Sequence, residues 1–404
     1  MVNVCIIGLG LRSLGLIKSV LLNNPDVKIT AVCDVYEDRI EAALAKIREH
    51  GQDAKGFKDY KEALNSAGLD AVFVFTGWEM HAEIAVYAME KGIAVASEVG
   101  CEYSLDNCYA LVQTQEKTGT PYMFMENCCW GKAELLATAM ARKNVFGTVV
   151  HCSGAYGHDL RNQVAYGLVT RHYRYQNYLT RCCENYPTHE LGPIAKLLDI
   201  NRGNRIVSVS SFASKAAGLE EYIKTREDAT EEMKNARFKQ GDIVNTVLTC
   251  ANGETILLRL DTTLPRSYSR DFTVRGTKGL FMQDPYMVYL DGEPESFNTL
   301  NYMKECIGNA EKYEKEYLPD IWKNITPEML SAGHGGMDWF AYSAFVNAVK
   351  NHTVIPVDVY DSATWQAVSV LSEMSIAQGG APQQMPDFTG GKWMDRPRLD
   401  VCEF

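Results

Sequence analysis

The sequence predicts an α/β protein of two domains. The first is built on a parallel sheet, and the second is an α+β domain with an open, largely antiparallel sheet. Up to about residue 125, short apolar segments alternate with amphipathic ones, which is typical of parallel strands that are buried on both faces and joined by helices. Beyond residue 125, candidate strands follow one another with turn residues between them, which is typical of antiparallel pairing.

The first domain is predicted to span residues 1–125. Its helices end in good stop signals, such as Lys91-Gly92 and Gly119. The predicted strands are residues 4–7, 28–34, 71–75 and 93–96. The predicted helices are residues 14–22, 37–49, 81–91 and 104–118.

The second domain is predicted to span residues 126–404. Four candidate strands, separated by turn signals such as Ala251-Asn252-Gly253, predict an antiparallel meander. These strands are residues 206–212, 242–250, 255–262 and 269–275. The charged segments 219–240 and 292–330 are predicted to be helical or irregular. A last helix is predicted at about 361–378.

Composition and charge exclude several classes of protein. The 404 residues are 46% hydrophobic and carry a net charge of -11, and the absence of a basic cluster argues against a nucleic-acid partner. No apolar run is long enough to span a membrane, and no export signal is recognisable, so a cytoplasmic location is expected. Twelve cysteines are scattered without a Cys-x-x-Cys spacing, which favours buried thiols over a metal site.

A glycine-rich turn joins the first strand to the first helix and reads Gly8-Leu9-Gly10-Leu11-Arg12-Ser13. The first glycine allows a tight turn, and the second lets the backbone approach a pyrophosphate at the helix N-terminus. Asp34 ends the second strand, where a carboxylate accepts hydrogen bonds from a ribose and favours NAD over NADP. The set predicts an NAD-binding Rossmann domain; the alternative is a glycine turn without a ligand.

Polar residues follow three further strands of this domain: Thr76 to His81, Glu98-Val99 and Glu126-Asn127. The carboxyl ends of parallel strands line the ligand crevice of an open sheet, so these residues are expected to converge near the nicotinamide. Taken singly, each is equally consistent with a helix cap or a surface loop.

A second candidate site lies at Tyr186-Pro187-Thr188-His189, which opens an apolar helix. A histidine beside a tyrosine can act as an acid–base pair. Arg171, Arg174 and Arg181 lie just upstream and can clamp a hydroxylated substrate. The alternatives are a structural histidine and a solvated arginine face.

These motifs resemble the superfamily of glucose-fructose oxidoreductase, inositol dehydrogenase and rhizopine catabolism proteins. Dehydrogenases of that superfamily carry Glu-Lys-Pro where this chain has Glu98-Val99-Gly100, so the lysine that moves the proton is missing. The closer resemblance is to glycoside hydrolase family 109, the NAD-dependent N-acetylgalactosaminidases. It runs in consistent order from about residue 5 to 340 and rests, besides the motifs above, on the segments 126–131, 154–161, 201–203 and 265–270.

The glycine turn and the resemblance together imply one set of cofactor residues and one set of sugar residues. NAD is expected to contact Gly8, Gly10, Leu11, Arg12, Asp34, Trp78, Glu79, His81, Glu98, Val99 and Asn127. The sugar is expected to contact Arg174, Tyr186, Pro187, Thr188, His189 and Tyr268. The residues expected to be catalytic are His189, Tyr156 and Tyr186.

The resemblance implies an NAD-dependent glycosidase acting on an N-acetylhexosaminide, similar to an α-N-acetylgalactosaminidase. The hypothesis is that C3 of the sugar is oxidised, the C1 substituent leaves by elimination, water adds, and the ketone is reduced again. His189 is expected to move the proton at C3, and Tyr156 to be the base at C2, with Arg174 or the nicotinamide ring lowering its pKa. A homo-oligomer is expected. The alternatives are an NAD-dependent sugar or cyclitol dehydrogenase and a catalytically silent protein of the same fold.

Overall fold

The computed structural model describes residues 1–293 and 304–404, and these residues form two compact units. The first unit consists of Met1–Trp130 and Asn324–Ala363, and the second consists of Gly131–Lys323 and Thr364–Phe404. The chain therefore leaves the first unit and later returns to it. Nothing in the sequence pattern of residues 324–363 indicates this return. The predicted limits of the domains, 1–125 and 126–404, stay a prediction.

The first unit contains a six-stranded sheet in the order β3-β2-β1-β4-β5-β6, in which every neighbouring pair is parallel. Its strands are β1 (Val2–Ile7), β2 (Val27–Cys33), β3 (Lys55–Phe57), β4 (Ala71–Val74), β5 (Ala94–Ser97) and β6 (Tyr122–Phe124). Strands β4 and β5 are buried at every residue, as expected of strands covered on both faces. The strand order reverses direction between β1 and β4, which is where such sheets bind ligands.

The helices of the first unit are Leu11–Leu16, Glu37–Glu49, Tyr60–Leu64, His81–Glu90, Leu105–Thr118, Pro327–Ser331 and Met337–Asn351, with the helix Val359–Ala377 shared at the division of the chain. Four of them, Leu11–Leu16, Glu37–Glu49, His81–Glu90 and Leu105–Thr118, lie close to predicted positions, as does Val359–Ala377, whereas Tyr60–Leu64 and Met337–Asn351 were not predicted. The first helix begins directly after Gly10 and continues as a π-helical turn over Ile17–Leu21, so it starts earlier than predicted. Ser104 caps the helix Leu105–Thr118 through its side chain, and Gly119 ends it in the left-handed region.

Aromatic packing anchors the returning segment to the sheet of the first unit. The ring of Tyr342, on the helix Met337–Asn351, stacks on Phe73 of β4 with centroids 5.5 Å apart. Phe345, one turn further along the helix, meets the same ring edge-on at 5.4 Å. The Phe124 amide of β6 also donates a hydrogen bond to the Val357 carbonyl. These long-range contacts, rather than any local pattern, bring residues 324–363 to the first unit.

The second unit contains an eight-stranded sheet in the order β13-β12-β11-β7-β10-β9-β8-β14. Its strands are β7 (Val149–Gly157), β8 (Ile206–Ala213), β9 (Ile243–Cys250), β10 (Thr255–Asp261), β11 (Thr273–Gly276), β12 (Gly279–Met282), β13 (Met287–Leu290) and β14 (Gln383–Gln384). Only the β7–β10 pair is parallel, so the sheet is largely antiparallel, as predicted.

The predicted meander is correct for β8, β9 and β10 but wrong for β11. Strand β7 lies between β10 and β11, so β11 pairs with β7. Strand β7 was not predicted, because Gly154 and Gly157 interrupt its apolar pattern and glycine normally argues against a strand interior. Gly154 is required by a close neighbour, because a Cβ on it would lie 2.6 Å from the Glu190 Cβ, whereas Gly157 faces the flexible end of the Arg266 side chain.

Short helices cover the second unit. They are Lys132–Arg142, Arg161–Ala165, Gly167–Thr170, Arg174–Thr180, Thr188–Leu197, Gly218–Lys224, Glu231–Asn235, Glu311–Tyr317 and Asp320–Lys323. The segment 219–240 is helical and irregular, as predicted. Of the segment 292–330, residues 294–303 lie outside the described residues, and its described part forms short helices. Among the described residues, no helix has both the length and the apolar character needed to cross a membrane.

Candidate active site

The glycine turn at the end of β1 brings two strand ends together. Gly8 has a φ of +90°, and a Cβ on it would lie 2.6 Å from the backbone of Phe75 and of Thr76, so only glycine is accommodated there. A Cβ on Gly10 would meet no atom within 4 Å. The Leu14 amide donates to the Gly10 carbonyl and starts the helix. The turn thus leaves open space at the helix N-terminus, where the fold binds a pyrophosphate.

Asp34 closes β2 against this turn. One carboxylate oxygen accepts a hydrogen bond from the Leu9 amide at 2.7 Å, and the other accepts one from the Tyr36 amide at 3.0 Å. The side chain is largely buried, and an Arg39 nitrogen lies 3.7 Å away. The carboxylate is therefore held at the position from which an acidic residue of this fold binds a ribose.

The end of β4 carries a buried hydroxyl and a neutral histidine. The Thr76 hydroxyl is buried and has no hydrogen-bond partner among the described residues. The ring of His81 is also buried, and its Nε2 lies 3.1 Å from the Thr76 carbonyl oxygen. Burial lowers the pKa of His81 to about 4, although the contact with Thr76 acts against this, so the ring is uncharged at neutral pH. An unpartnered buried hydroxyl beside an open glycine turn fits a site that a bound dinucleotide completes.

Glu98, at the end of β5, is held by two donors. Its Oε1 accepts a hydrogen bond from the Tyr342 hydroxyl at 2.5 Å and one from Arg12 Nη2 at 3.2 Å. Arg12 comes from the first helix after the glycine turn, and Tyr342 from the helix Met337–Asn351. Val99, directly after Glu98, is buried and apolar.

Asp338 is a buried carboxylate that the sequence did not single out. Its two oxygens accept hydrogen bonds from Arg12 Nη1 and Nη2, at 2.7 and 2.9 Å, and from Asn127 Nδ2 at 2.7 Å. His334 Nδ1 lies 2.9 Å from the same carboxylate. Burial raises the pKa of the Asp338 carboxyl, but the hydrogen bonds from Arg12 and His334 outweigh it and hold the pKa well below its usual range. The group is therefore ionised at neutral pH.

The structure thus brings some of the predicted cofactor residues into direct contact and leaves others apart. Arg12, Glu98 and Asn127 meet through hydrogen bonds, in part by way of Asp338. Leu11 is 89% exposed, and Glu79 is exposed as well. Trp78, His81 and Val99 are buried close to the strand ends. A contact of any of them with NAD stays a prediction. The sequence signal for Asp338 is the run Gly333-His334-Gly335-Gly336 directly before its helix, in which all four residues have a positive φ.

In the second unit, a close approach places Tyr156 beside His189. A Cβ on Gly154 of β7 would lie 2.6 Å from the Glu190 Cβ, so the helix Thr188–Leu197 rests directly on the strand. Tyr156 lies two residues further along β7 and therefore on the same face. His189 precedes Glu190 in the first turn of the helix. Gly154, which made β7 difficult to predict, thus allows the close packing that brings Tyr156 and His189 together.

Three rings form a buried aromatic cluster. The centroids of Tyr156 and Tyr186 lie 4.4 Å apart, and the His189 ring meets both edge-on, at 5.3 Å from Tyr156 and 4.8 Å from Tyr186. All three side chains are at least nine-tenths buried. Pro187 and Thr188, between two members of the cluster, are buried too, and the Thr188 hydroxyl has no hydrogen-bond partner among the described residues.

Of the three arginines upstream, only Arg174 contacts this cluster among the described contacts. Its guanidinium lies 5.0 Å from the centroid of the Tyr186 ring and donates to Gln163 Oε1 at 2.6 Å. Arg181 instead forms an ion pair with Glu373 at 2.7 Å, and Arg171 is exposed. Arg174 is thus a buried cation beside the cluster, and a substrate clamp formed by these arginines stays a prediction.

His158 links Tyr268 to the aromatic cluster. Its Nδ1 lies 3.2 Å from the Tyr156 hydroxyl, and its ring meets the Tyr268 ring edge-on at 5.1 Å. Tyr268 is 46% exposed, so it forms an open edge rather than part of the buried core. His158 was visible in the sequence motif around Tyr156, but no role was predicted for it.

The environment of Tyr156 opposes the ionisation that a tyrosine base requires. Burial raises the pKa of its hydroxyl well above the usual value, and Arg174 acts in the lowering direction without outweighing burial. The expected effect of Arg174 is present, but the net direction is the reverse of the one predicted from the sequence.

Comparisons with known proteins agree with both units. Residues 2–125 match the family model described as the oxidoreductase family with an NAD-binding Rossmann fold, and residues 130–395 match the model of the C-terminal domain of glycosyl hydrolase 109. Among solved structures, levoglucosan dehydrogenase in complex with NADH and levoglucosan superposes with a TM-score of 0.69 at 17% identity, covering 96% of this chain and 100% of its own. Apo scyllo-inositol dehydrogenase from Lactobacillus casei gives 0.66 at 12% identity, covering 95% and 98%. These two likenesses show the fold.

Two curated relatives cover nearly the whole chain. A glycosyl hydrolase family 109 protein of Stenotrophomonas maltophilia is 38% identical over 98% of this chain and 90% of its own length. A protein of Tannerella forsythia named alpha-N-acetylgalactosaminidase is 34% identical over 91% of this chain and 82% of its own length. The chain therefore belongs to glycosyl hydrolase family 109 and is an NAD-dependent enzyme of oxidoreductase fold.

Proposed function

We propose that the protein hydrolyses glycosides of an N-acetylhexosamine, of the α-N-acetylgalactosaminide type, by elimination next to a transiently oxidised carbon. The observation that carries this proposal is the mutual packing of Tyr156, Tyr186 and His189 beside the buried Arg174. Phenol and imidazole groups can bind sugar hydroxyls and also move protons. The name of the Tannerella relative supports the choice of sugar.

The first unit is proposed to hold the cofactor through the glycine turn, Asp34, and the contacting set Arg12, Glu98 and Asn127. When bound, NAD supplies a reversible hydride acceptor, so a hydrolysis can proceed without net oxidation of the sugar. The role of the chain itself is then to bind the sugar, to keep it oriented and to move three protons.

His189 is proposed to take the proton of the C3 hydroxyl, because an alcohol is oxidised readily only if its proton leaves to a base. Its ring lies edge-on to both tyrosines, which fixes its plane. The same group can return that proton when C3 is reduced again, so the residue ends the cycle in the state in which it began.

Tyr156 is proposed to take the proton at C2, which a ketone at C3 makes acidic. Loss of this proton and cleavage of the C1–O bond form a double bond between C1 and C2, and Tyr186 donates its phenolic hydrogen toward the leaving oxygen. Water then adds at C1 and gives a proton to Tyr186, while Tyr156 returns a proton to C2, so both tyrosines end in the state in which they began. Burial raises the pKa of Tyr156, and Arg174 acts in the opposite direction, toward the ionised form that this step uses.

The proposal is preferred over a sugar or cyclitol dehydrogenase because of Val99. This side chain is buried and apolar at the position where the dehydrogenases resembled by the sequence carry a proton-moving lysine. A valine cannot accept or donate a proton. We therefore assign the proton transfers to the aromatic cluster of the second unit, Tyr156, Tyr186 and His189.

The test uses the protein as purified, without added cofactor, in deuterated water. It is incubated with a panel of α- and β-linked p-nitrophenyl glycosides that includes the N-acetylgalactosaminides. Release of p-nitrophenol, deuterium at C2 of the freed sugar and no accumulation of NADH are the expected results. Deuterium at C2 reports the proton exchange that a two-carboxylate glycosidase does not cause.

Two outcomes would overturn the proposal. Release of p-nitrophenol with protium retained at C2 would remove the elimination step. No release, together with accumulation of NADH when NAD and free sugars are supplied, would make the protein a dehydrogenase. A Tyr156→Phe variant serves as the internal control, because it should lose deuterium incorporation and release together.

A further inference from the structure

Asp338 contacts two residues of the proposed cofactor site without being an obvious member of it. The residue has no exposed surface. Its carboxylate accepts two hydrogen bonds from Arg12 and one from Asn127, and His334 lies within hydrogen-bond distance. An ionised carboxylate offers about four acceptor positions, so the three hydrogen bonds from Arg12 and Asn127 use most of its capacity. The group is therefore engaged with protein partners rather than directed at a ligand.

The loop before the helix Met337–Asn351 is shaped around this carboxylate. A Cβ on Gly333 would lie 2.4 Å from Asp338 Oδ2, and Gly333 has a φ of +98°. Gly335 also has a positive φ, of +61°, but a Cβ on it would meet no atom within 4 Å. Space, in addition to backbone conformation, thus excludes side chains at Gly333.

The two residues held by Asp338 come from separate strand ends of the sheet. Arg12 follows β1 and the glycine turn, while Asn127 follows β6. The Arg12 side chain is 36% exposed, so without its bidentate partner it would keep the contacts with Glu98 and His334 but could turn toward solvent. The amide of Asn127 has two possible orientations, and donation to a carboxylate selects the one with its nitrogen toward Asp338.

We propose that Asp338 is a positioning residue for NAD, which orients Arg12 and Asn127 for the cofactor and does not itself contact it. The proposal rests on the proposed assignment of these two residues to the NAD site. Its physical basis is that a buried charge fixes the geometry of its partners, since any departure leaves the charge unpaired in a buried environment, which is strongly unfavourable.

The first test is the affinity for NAD of the full-length protein after dialysis against cofactor-free buffer, followed by quenching of tryptophan fluorescence. Asp338→Asn should weaken NAD binding by at least about tenfold, which corresponds to about 1.4 kcal/mol. Tyr122→Phe is the control for lost stability, because it removes a buried hydrogen bond to Ser362 in the same unit. This control should change NAD affinity less than twofold at a temperature where both variants are folded. Equal affinity in Asp338→Asn and in the wild type would overturn the proposal.

The second test keeps the charge and displaces the carboxylate. Gly333→Ala introduces a methyl group against Asp338 Oδ2, whereas Gly335→Ala strains the backbone in open space. Gly333→Ala should weaken NAD binding at least fivefold more than Gly335→Ala does. If the two alanine variants bind NAD equally, the carboxylate does not position the cofactor site. This pair remains informative if Asp338→Asn does not fold.

The third test asks whether Asp338 acts through Arg12. In a double-mutant cycle, Asp338→Asn should weaken NAD binding much less in an Arg12→Gln background than in the wild type. Fully additive losses would mean that the two residues act independently and would contradict a positioning role. All three tests measure NAD binding, so they give an answer whether or not the protein cleaves glycosides.

Discussion

The candidate-site cluster of the first unit consists mainly of charged side chains, whereas that of the second unit consists mainly of aromatic rings. The first unit joins Asp338, Arg12 and Glu98 in a network of charge-assisted hydrogen bonds. The second unit packs Tyr156 and His189 in a ring cluster with the Arg174 guanidinium beside it. A charged network is rigid, since each buried charge requires its partner. Packed rings leave hydroxyl groups and ring nitrogens available to a ligand. The difference agrees with the proposal that the first cluster holds a cofactor in place and that the second one takes part in the reaction.

His189→Ala gives the largest effect that this comparison predicts. Turnover should fall by at least about 10³-fold, in the range that general acid–base catalysis contributes, while NAD affinity stays within twofold of the wild type. Steady-state hydrolysis and NAD titration measure the two quantities on one preparation. Retention of a near wild-type rate would remove His189 from the active site, and a parallel loss of NAD would break the division of roles.

Arg174→Gln tests the electrostatic part of the ring cluster. Arg174 acts to lower the pKa of Tyr156, which burial raises. A tyrosine base works in its ionised form, so the rate rises with pH, and loss of the cation should move this rise to higher pH. We expect the pH profile of kcat to shift toward alkaline pH, with a decrease of about 10- to 100-fold at pH 7. Arg181→Gln is the matched control, since Arg181 is paired with Glu373. An unshifted profile in Arg174→Gln would exclude Tyr156 as the ionising base.

Asp34→Ala should weaken NAD binding by roughly 1–3 kcal/mol, the usual loss for a hydrogen bond to a charged group. The carboxylate also accepts the Leu9 amide of the glycine turn, so part of the loss reflects a less ordered turn. Titration with NAD and with NADP separates the two contributions. A loss of ribose recognition changes the ratio of the two affinities, whereas a disordered turn lowers both. Unchanged affinity for NAD would remove Asp34 from the ribose site.

Tyr342→Phe should have the smallest effect. The variant deletes the hydrogen bond to Glu98 but keeps the ring that stacks on Phe73, and Arg12 continues to hold the carboxylate. The free energy of unfolding should fall by about 0.5–1.5 kcal/mol, as measured by urea denaturation. Tyr342→Ala, which also removes the stacked ring, should cost several times more. A loss of turnover as large as that of His189→Ala would mean that the charged network also takes part in the reaction.

Much of the first unit could be predicted from the sequence because its signals are local. Continuous apolar strands, capped helices and a glycine turn each depend on a few adjacent residues, and the parallel sheet follows from their alternation. In the second unit, β7 could not be predicted, because Gly154 and Gly157 interrupt its apolar pattern and the reason for Gly154 is a contact with Glu190, which lies far along the chain. The placement of β11 was wrong for the same reason.

The same distinction between local signals and long-range contacts applies to the residues of the candidate site. Asp34, Glu98 and Asn127 could be located because strand ends of a parallel sheet meet at one edge. Asp338 could not, since it lies far along the chain on a helix that reaches the first unit only through the packing of Tyr342 and Phe345 on Phe73. The sign of the pKa shift of Tyr156 also depends on burial, which no motif encodes.

The sequence alone determined the class of the protein: the fold of each unit, the NAD site at the first turn, and the membership in glycosyl hydrolase family 109. These follow from short-range patterns and from motif order. Only the tertiary structure decided that Arg174 lies against the Tyr186 ring and that Asp338 forms hydrogen bonds with both Arg12 and Asn127. It also decided that burial raises the pKa of Tyr156. Such features depend on contacts between residues distant in the chain, and their energies are set by the surroundings that folding creates.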